Sequence, residues 1–256
     1  MKVRSLVFWT CRVFKINPKF DSIVKDVVLK TGSYQYGKVE DKNLFLYIDR
    51  IQETFGGWAK LIETYVDSPR RIYNREENFV TIKETVPFNI CLFEKSSVSN
   101  FLAIFGSSYN IPVLTYALKV IISEKGRSKG QIPDSLIMFS PLLKLNFRLK
   151  GKENELSKYF SNIREISVKE IKDMYVHAAS LKGLLLELSE EYQKYVRDTE
   201  ISGKINYFGV NVEGRVMMLS SEGKIWTRQG KNNVEPEIVK MILEVLDKCD
   251  AIHIIE

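Results

Sequence analysis

The stretch Gly126-Arg127-Ser128-Lys129-Gly130, entered from Lys125, carries the sharpest local chemistry in the sequence. Two glycines permit tight turns that aim backbone N–H groups outward, the serine adds a hydroxyl, and the cations neutralise phosphate. The order is not the GxxxxGK[ST] of a P-loop. As a nucleic-acid contact it works with Lys125, and with Lys144, Arg148 and Lys150 if the strand that carries them lies alongside. The competing reading is a solvated loop that happens to be basic.

Arg70-Arg71-Ile72-Tyr73-Asn74-Arg75 mixes guanidinium groups with an aromatic ring. Arginine pairs with phosphate and tyrosine stacks on a base. Glu76 and Glu77 follow at once and repel a polyanion, so a self-balancing charged loop is the alternative.

Other chemistries find less to work with. Metal-assisted phosphodiester cleavage needs carboxylates gathered around a cation. The two Glu-x-Lys triplets, Glu40-Asp41-Lys42 and Glu170-Ile171-Lys172, fall in an expected hairpin turn and an expected capped helix, and nothing fixes Asp21 or Asp49 as a partner acid. His177 and His253 have no acid at triad-like spacing, and no GxSxG elbow holds a serine nucleophile. Cys11, Cys91 and Cys249 are far apart and form no CxxC pair, so they read as buried, reduced thiols, with no metal site and no cofactor expected.

Asn211-Val212-Glu213-Gly214-Arg215, with Lys224-Ile225-Trp226-Thr227-Arg228-Gln229-Gly230 after it, resembles the first conserved segment of nucleotidyltransferase-fold nucleic acid ligases and capping enzymes. That family carries Lys-x-Asp-Gly-x-Arg, whose lysine accepts the nucleotide. Here Asn211 stands at the lysine position, the acid is Glu213 and the arginine comes one residue early. Asparagine cannot form the phosphoramide. The segment is expected to be a β-meander with glycine turns.

The charge of the chain concentrates where the first motif lies. Lys119–Lys152 holds eight basic residues (Lys119, Lys125, Arg127, Lys129, Lys144, Arg148, Lys150, Lys152) against Glu124 and Asp134, a balance of +6 that equals the formal charge of all 256 residues. Residues 1–151 carry 23 basic and 14 acidic side chains, and residues 152–256 carry 15 and 18. A hydrophobic share of 45% and a charged share of 27% fit a folded chain with ample core and argue against global disorder. Five glutamines beside abundant Lys, Glu, Ile and Val are compatible with a thermophilic composition. The apolar run Ile111–Ile122 is too short to span a bilayer and contains Lys119, and Ser5–Cys11 is cut off by Arg12 and Lys15, so a soluble, cytoplasmic protein without a membrane partner is expected.

These residues must be positioned by elements of both kinds. Val3–Phe14 reads as a strand, Ile23 to Val28 as a helix, and Tyr34–Val39 with Leu44–Ile51 as a hairpin. Trp58–Val66 fits helix or strand; Ser68-Pro69 is expected to open a polar loop, with strands over Phe79–Val86, Phe88–Phe93 and Phe101–Phe105. Val113 to Ile122 share one helical face, and Gly126 is expected to end that helix. Ser135–Lys150 reads as mostly extended. Beyond it come a short helix over Leu156–Ile163, a capping box at Ser167 and Glu170 ahead of Ile171, a strand over Tyr175–Ala178 and an amphipathic helix over Leu184–Tyr195. Lys204–Val212, Arg215–Leu219 and Lys224–Arg228 then form a meander, followed by a helix from Pro236 and a strand over Ala251–Ile255.

The expected fold is α+β with mainly antiparallel sheets and packed helices. It divides into a basic, strand-rich part (1–151) and a mildly acidic part (152–256) ordered α-β-β-β-α-β, with a single continuous domain as the alternative. The expected function is non-enzymatic nucleic-acid binding, with Lys125, Arg127, Lys129, Lys144, Arg148, Lys150, Arg70 and Arg71 contacting phosphates. Two alternatives stand beside it: a scaffold acting through a protein partner or homo-oligomer, and a metal-dependent phosphodiesterase.

Overall fold

The structure is a computed structural model that describes residues 8–54, 56–74, 78–94, 97–128, 140–160, 163–183, 186–227 and 233–255. It is a mixed α+β protein in which strand outweighs helix. The chain forms two compact units, one built chiefly of Phe14–Leu143, the other of Trp9–Val13 with Lys144–Ile255. The charge change at Gly151-Lys152 lies inside the second unit.

In the first unit, β2 (Gly32–Val39), β3 (Lys42–Glu53), β4 (Ala59–Asn74), β5 (Asn78–Phe93) and β6 (Phe101–Phe105) pair in chain order as an antiparallel meander. Alternate residues of these strands turn to one face: Leu44, Leu46 and Ile48; Ile62 and Val66; Phe88, Ile90 and Leu92; Leu102 and Ile104. Against them lie α1 (Asp21–Val28) and α2 (Ile111–Ser128), which bury Ile23, Val24, Val27 and Val28, and Leu114, Ala117, Leu118, Ile121 and Ile122. Period two meets period 3.6 across one core. Each fully buried side chain of this size stabilises the fold by roughly 1.5–3 kcal/mol.

Two prolines sit in continuous strands, Pro69 where a loop is expected and Pro87 where one expected strand ends and the next begins. β4 runs on through Ser68-Pro69 to Asn74, and β5 passes through Pro87 without a break. Pairing of β4 with β3 ends at Val66, and pairing of β5 with β6 ends at Asn89. From Asp67↔Thr85 to Asn74↔Asn78 the two strands continue as a ribbon that pairs only with itself among the described residues. Pro69 in the ribbon and Pro87 just before it thus lie on outer edges without a ladder partner among the described residues, which is where a proline's missing N–H is tolerated.

Asp67 pins the root of the ribbon. Its buried carboxylate accepts hydrogen bonds from Thr85 Oγ1 (2.9 Å), Phe45 N (3.1 Å) and Tyr47 OH (3.3 Å), and pairs with Lys83 Nζ at 3.2 Å. Its backbone carbonyl accepts from Tyr36 OH. Burial, with the Asp67 and then the Tyr116 charge behind it, pushes the Tyr36 hydroxyl up to about 12.

In the second unit, β8 (Ile163–Lys169), β9 (Ala178–Lys182), β10 (Lys204–Val212), β11 (Arg215–Ser220) and β12 (Lys224–Thr227) pair antiparallel in the order β12-β11-β10-β8-β9. Strand β1 (Thr10–Ile16) supplies Thr10–Arg12 as the neighbour of β12. Positive φ at Glu213 (50°) and Gly214 (79°) makes the β10–β11 turn, so the segment that resembles a ligase motif is a hairpin. Of β7 (Leu142–Phe147), the residues of this unit, Lys144 to Phe147, pair with β13 (Ile252–Ile255). A short helix, α3 (Glu153–Ser157), precedes β8, and helix α5 (Pro236–Lys248) opens on proline and buries Ile238, Val239, Ile242, Leu243 and Leu246.

Three local expectations give way. Ser167 lies in β8, not at a helix cap: Ile163, Glu165, Ile166 and Val168 are buried and the segment pairs with both β9 and β10. The helix expected over 184–195 is broken, within the described residues, into a 3-10 turn, the one-turn α4 (Glu190–Tyr192) and a π turn, because Ser189 is extended (φ −77°, ψ 148°) and caps Tyr192 N through its hydroxyl. The strand expected over Tyr175–Ala178 begins only at Ala178.

Candidate functional site

The expected cationic residues divide between the units. In the first, α2 does not stop at Gly126; that glycine is buried in the helix, which runs on to Ser128. Arg127 is therefore helical rather than part of a phosphate-cradling loop, and Lys129 and Gly130 lie outside the described residues. Lys125 Nζ donates to the Asp26 carbonyl at 2.8 Å and stands 5.7 Å from the centre of the Tyr34 ring. Cations in the last turn of a helix also complement its dipole, which gives Lys125 and Arg127 a structural reason for their charge.

Arg70 and Arg71 are exposed on the ribbon. Arg70 Nη1 pairs with Glu84 Oε2 at 3.3 Å, while Arg71 sits opposite Thr81. Exposed Ile72 and Tyr73 follow them.

In the second unit, strand alternation over 144–150 exposes Lys144, Asn146, Arg148 and Lys150 and buries Leu145, Phe147 and Leu149. Arg148 and Lys150 line a groove of about 370 Å³, and the fold adds Lys169 from the end of β8 and Lys204 from the start of β10. The groove carries four cations and one acid, Glu170, a balance of +3. Lys144 is on the same exposed face of the strand but does not line the groove.

Lys169 and Lys204 are direct cross-strand partners. Like charges placed so oppose strand pairing. Glu170 relieves the opposition on one side, its Oε2 lying 2.5 Å from Lys204 Nζ. The hydrogen bond from Lys204, with the charges of Lys204 and Lys169 behind it, holds the Glu170 carboxyl below the usual carboxylate range. Glu170 reaches this position because its φ of 56° turns the chain off β8. Lys150 Nζ is held by Ser202 Oγ (2.8 Å) and the Gly203 carbonyl (3.4 Å). A Cβ on Gly203 would stand 2.3 Å from the Lys169 carbonyl, so only glycine lets these two segments approach.

Lys169 and Lys204 escape a reading of charge runs, since 35 positions separate them in the chain. The available signal is the β-branched content of Ile163, Ile166 and Val168, which marks β8 and, with the meander, puts both lysines at strand ends.

Glu165 is a second buried acid. It accepts from Tyr207 OH (2.9 Å) and Ser180 Oγ (3.4 Å), with Lys182 Nζ at 4.0 Å. These contacts satisfy it as a structural group. His177 is exposed, and its carbonyl accepts from Ile171 N. Among the described residues no three or more His, Cys, Asp or Glu side chains gather as metal ligands. Nor, among them, is any helix long and apolar enough to cross a membrane. The thiols of Cys11, Cys91 and Cys249 are buried and form no disulfide.

No known protein-family model matches the chain, and no curated protein matches it.

Proposed function

We propose that the protein is a non-enzymatic nucleic-acid-binding protein whose phosphate-contacting surface is the groove of the second unit. One observation carries this reading: Arg148, Lys150, Lys169 and Lys204 converge with a single acid among them, two of the lysines in a cross-strand pairing that opposes sheet stability. Guanidinium and ammonium groups in such an array neutralise successive phosphates and release their counterions. Lys144, further along the same face, extends the track. Lys125, Arg127, Lys129, Arg70 and Arg71 are auxiliary contacts in this reading, Lys125 and Arg70 being the weaker because each already has a protein partner.

Four phosphate contacts give a slope of log K against log salt of about −2.8 to −3.6, so affinity falls roughly 50- to 150-fold between 50 and 200 mM salt. Fluorescence anisotropy with labelled oligonucleotides measures this. Lys169→Met is expected to flatten the slope by about one and to raise stability by ~0.2–1 kcal/mol, since it removes the like-charge pair. No retention of any DNA or RNA at low salt overturns the reading.

The scaffold alternative draws on a different observation. Among the described residues β13 pairs only with β7, and Ile254 and Ile255 on it are about half exposed, which suits addition of a partner strand. Light scattering that shows an oligomer indifferent to nucleic acid would favour it. Incubation of nucleic acid with Mg²⁺ or Mn²⁺ tests the phosphodiesterase alternative, for which the described residues offer no group of three or more His, Cys, Asp or Glu side chains.

A further inference from the structure

The β8–β9 connection, residues 170–177, presents Met174 and Tyr175 to solvent at 81% and 84% exposure. A single exposed aromatic is ordinary. What sets this one apart is how firmly its backbone is held. Ile171 N–H donates to the His177 carbonyl (3.0 Å) and closes the neck of the loop. Lys172 N–H donates to the Ile201 carbonyl (3.0 Å) and ties the loop to the turn ahead of β10. Inside it, Asp173 Oδ1 accepts from Tyr175 N (2.9 Å) and Val176 N (3.2 Å), while Oδ2 pairs with Lys194 Nζ at 2.9 Å.

The loop and the groove share one framework. Lys169 and Glu170, which lead into the loop, line the groove. Ile201, which holds Lys172, is followed by Ser202 and Gly203, which hold Lys150. An aromatic ring on a backbone tied to the segments that carry a row of cations supplies the two components of a single-strand site: charge for the phosphates and a flat apolar surface for a base.

We propose that Tyr175 is a base-stacking platform that makes the groove selective for single-stranded over double-stranded nucleic acid, with Met174 packing beside the stacked base. This rests on the reading of the groove as a nucleic-acid site. In a duplex each base already has neighbours on both faces and offers no free surface to a ring. An unpaired base does, and holding the tyrosine backbone in place lowers the ordering cost of the stack.

The test is anisotropy with single strands of about 12 nucleotides, as DNA and as RNA, and with the matching duplexes, at one low salt concentration. Wild-type protein is expected to bind the single strands more tightly. Tyr175→Ala is expected to weaken single-strand binding roughly ten-fold or more, leave duplex binding unchanged and keep the salt slope. Tyr175→Phe retains the ring and is expected to bind as the wild type does. If Tyr175→Ala leaves single-strand affinity intact, or duplex is preferred, while Lys169→Glu still weakens binding, the platform is refuted and the groove stands. If the wild type retains neither form, the groove reading fails and the platform falls with it.

Discussion

Asp173 shows how one carboxylate sets the geometry of a whole loop. The N–H of Tyr175, then Lys194, holds its carboxyl below the ordinary value of 3.8, and desolvation offsets only part of this. Asp198 is lowered likewise, by the N–H groups of Ile201 and Glu200, and Glu170 by Lys204. For each, the folded pKa lies below the unfolded one. The contribution is therefore fully present above the unfolded value, near pH 4, and is lost as pH falls through the folded value. Acid titration followed by NMR is expected to leave the Tyr175 and Val176 amide resonances unmoved above about pH 5 and to shift them toward random-coil positions below about pH 4. An Asp173→Ala variant whose Tyr175 and Val176 amides keep their wild-type positions at neutral pH would show that Asp173 does not order the loop.

At the level of elements, the β4–β5 ribbon depends on its root. Removing a buried acid leaves its donors without acceptors, so Asp67→Ala is expected to cost about 3 kcal/mol in urea unfolding. A loss below about 1 kcal/mol would mean that the ribbon is held from elsewhere. Patterns confined to one segment were readable in the sequence: the apolar face of α2, the turns of the meander and the proline at the start of α5 each follow from a few adjacent residues. Pro69 and Pro87 misled because a proline's effect depends on whether a neighbouring strand needs its N–H, and that is decided by where β3 and β6 stop. Ser167-x-x-Glu170 has capping-box spacing, yet pairing on both sides of β8 outweighs that local preference. Of the groove, Arg148 and Lys150 were legible as a run of charge. Lys169 and Lys204 were not, because their proximity is a matter of register.

For the molecule as a whole, the second unit is completed by residues from the start of the chain. Thr10–Arg12 pair with Lys224–Trp226, and the bonds Val13 N to Gly223 O (2.9 Å) and Thr227 N to Trp9 O (3.0 Å) flank them. Cys11 and Val13 are fully buried there. A fragment of residues 144–256 leaves the edge of β12 bare and is expected to be less stable and prone to aggregate. A peptide of residues 8–14 added in trans is expected to raise its melting temperature in proportion to the logarithm of peptide concentration above Kd. Identical melting with and without the peptide would show that the segment contributes nothing to this unit.

That pairing also sets an order of events during synthesis. Residue 10 leaves the ribosome long before residue 224 is made, and at 5–20 residues per second the interval is roughly 10–40 s. Throughout it Thr10–Arg12 have no ladder partner on β12, and the second sheet cannot close on that side until Lys224–Trp226 have emerged. The nascent chain thus carries an open strand edge for that whole interval, a window in which a chaperone or a neighbouring nascent chain competes with β12.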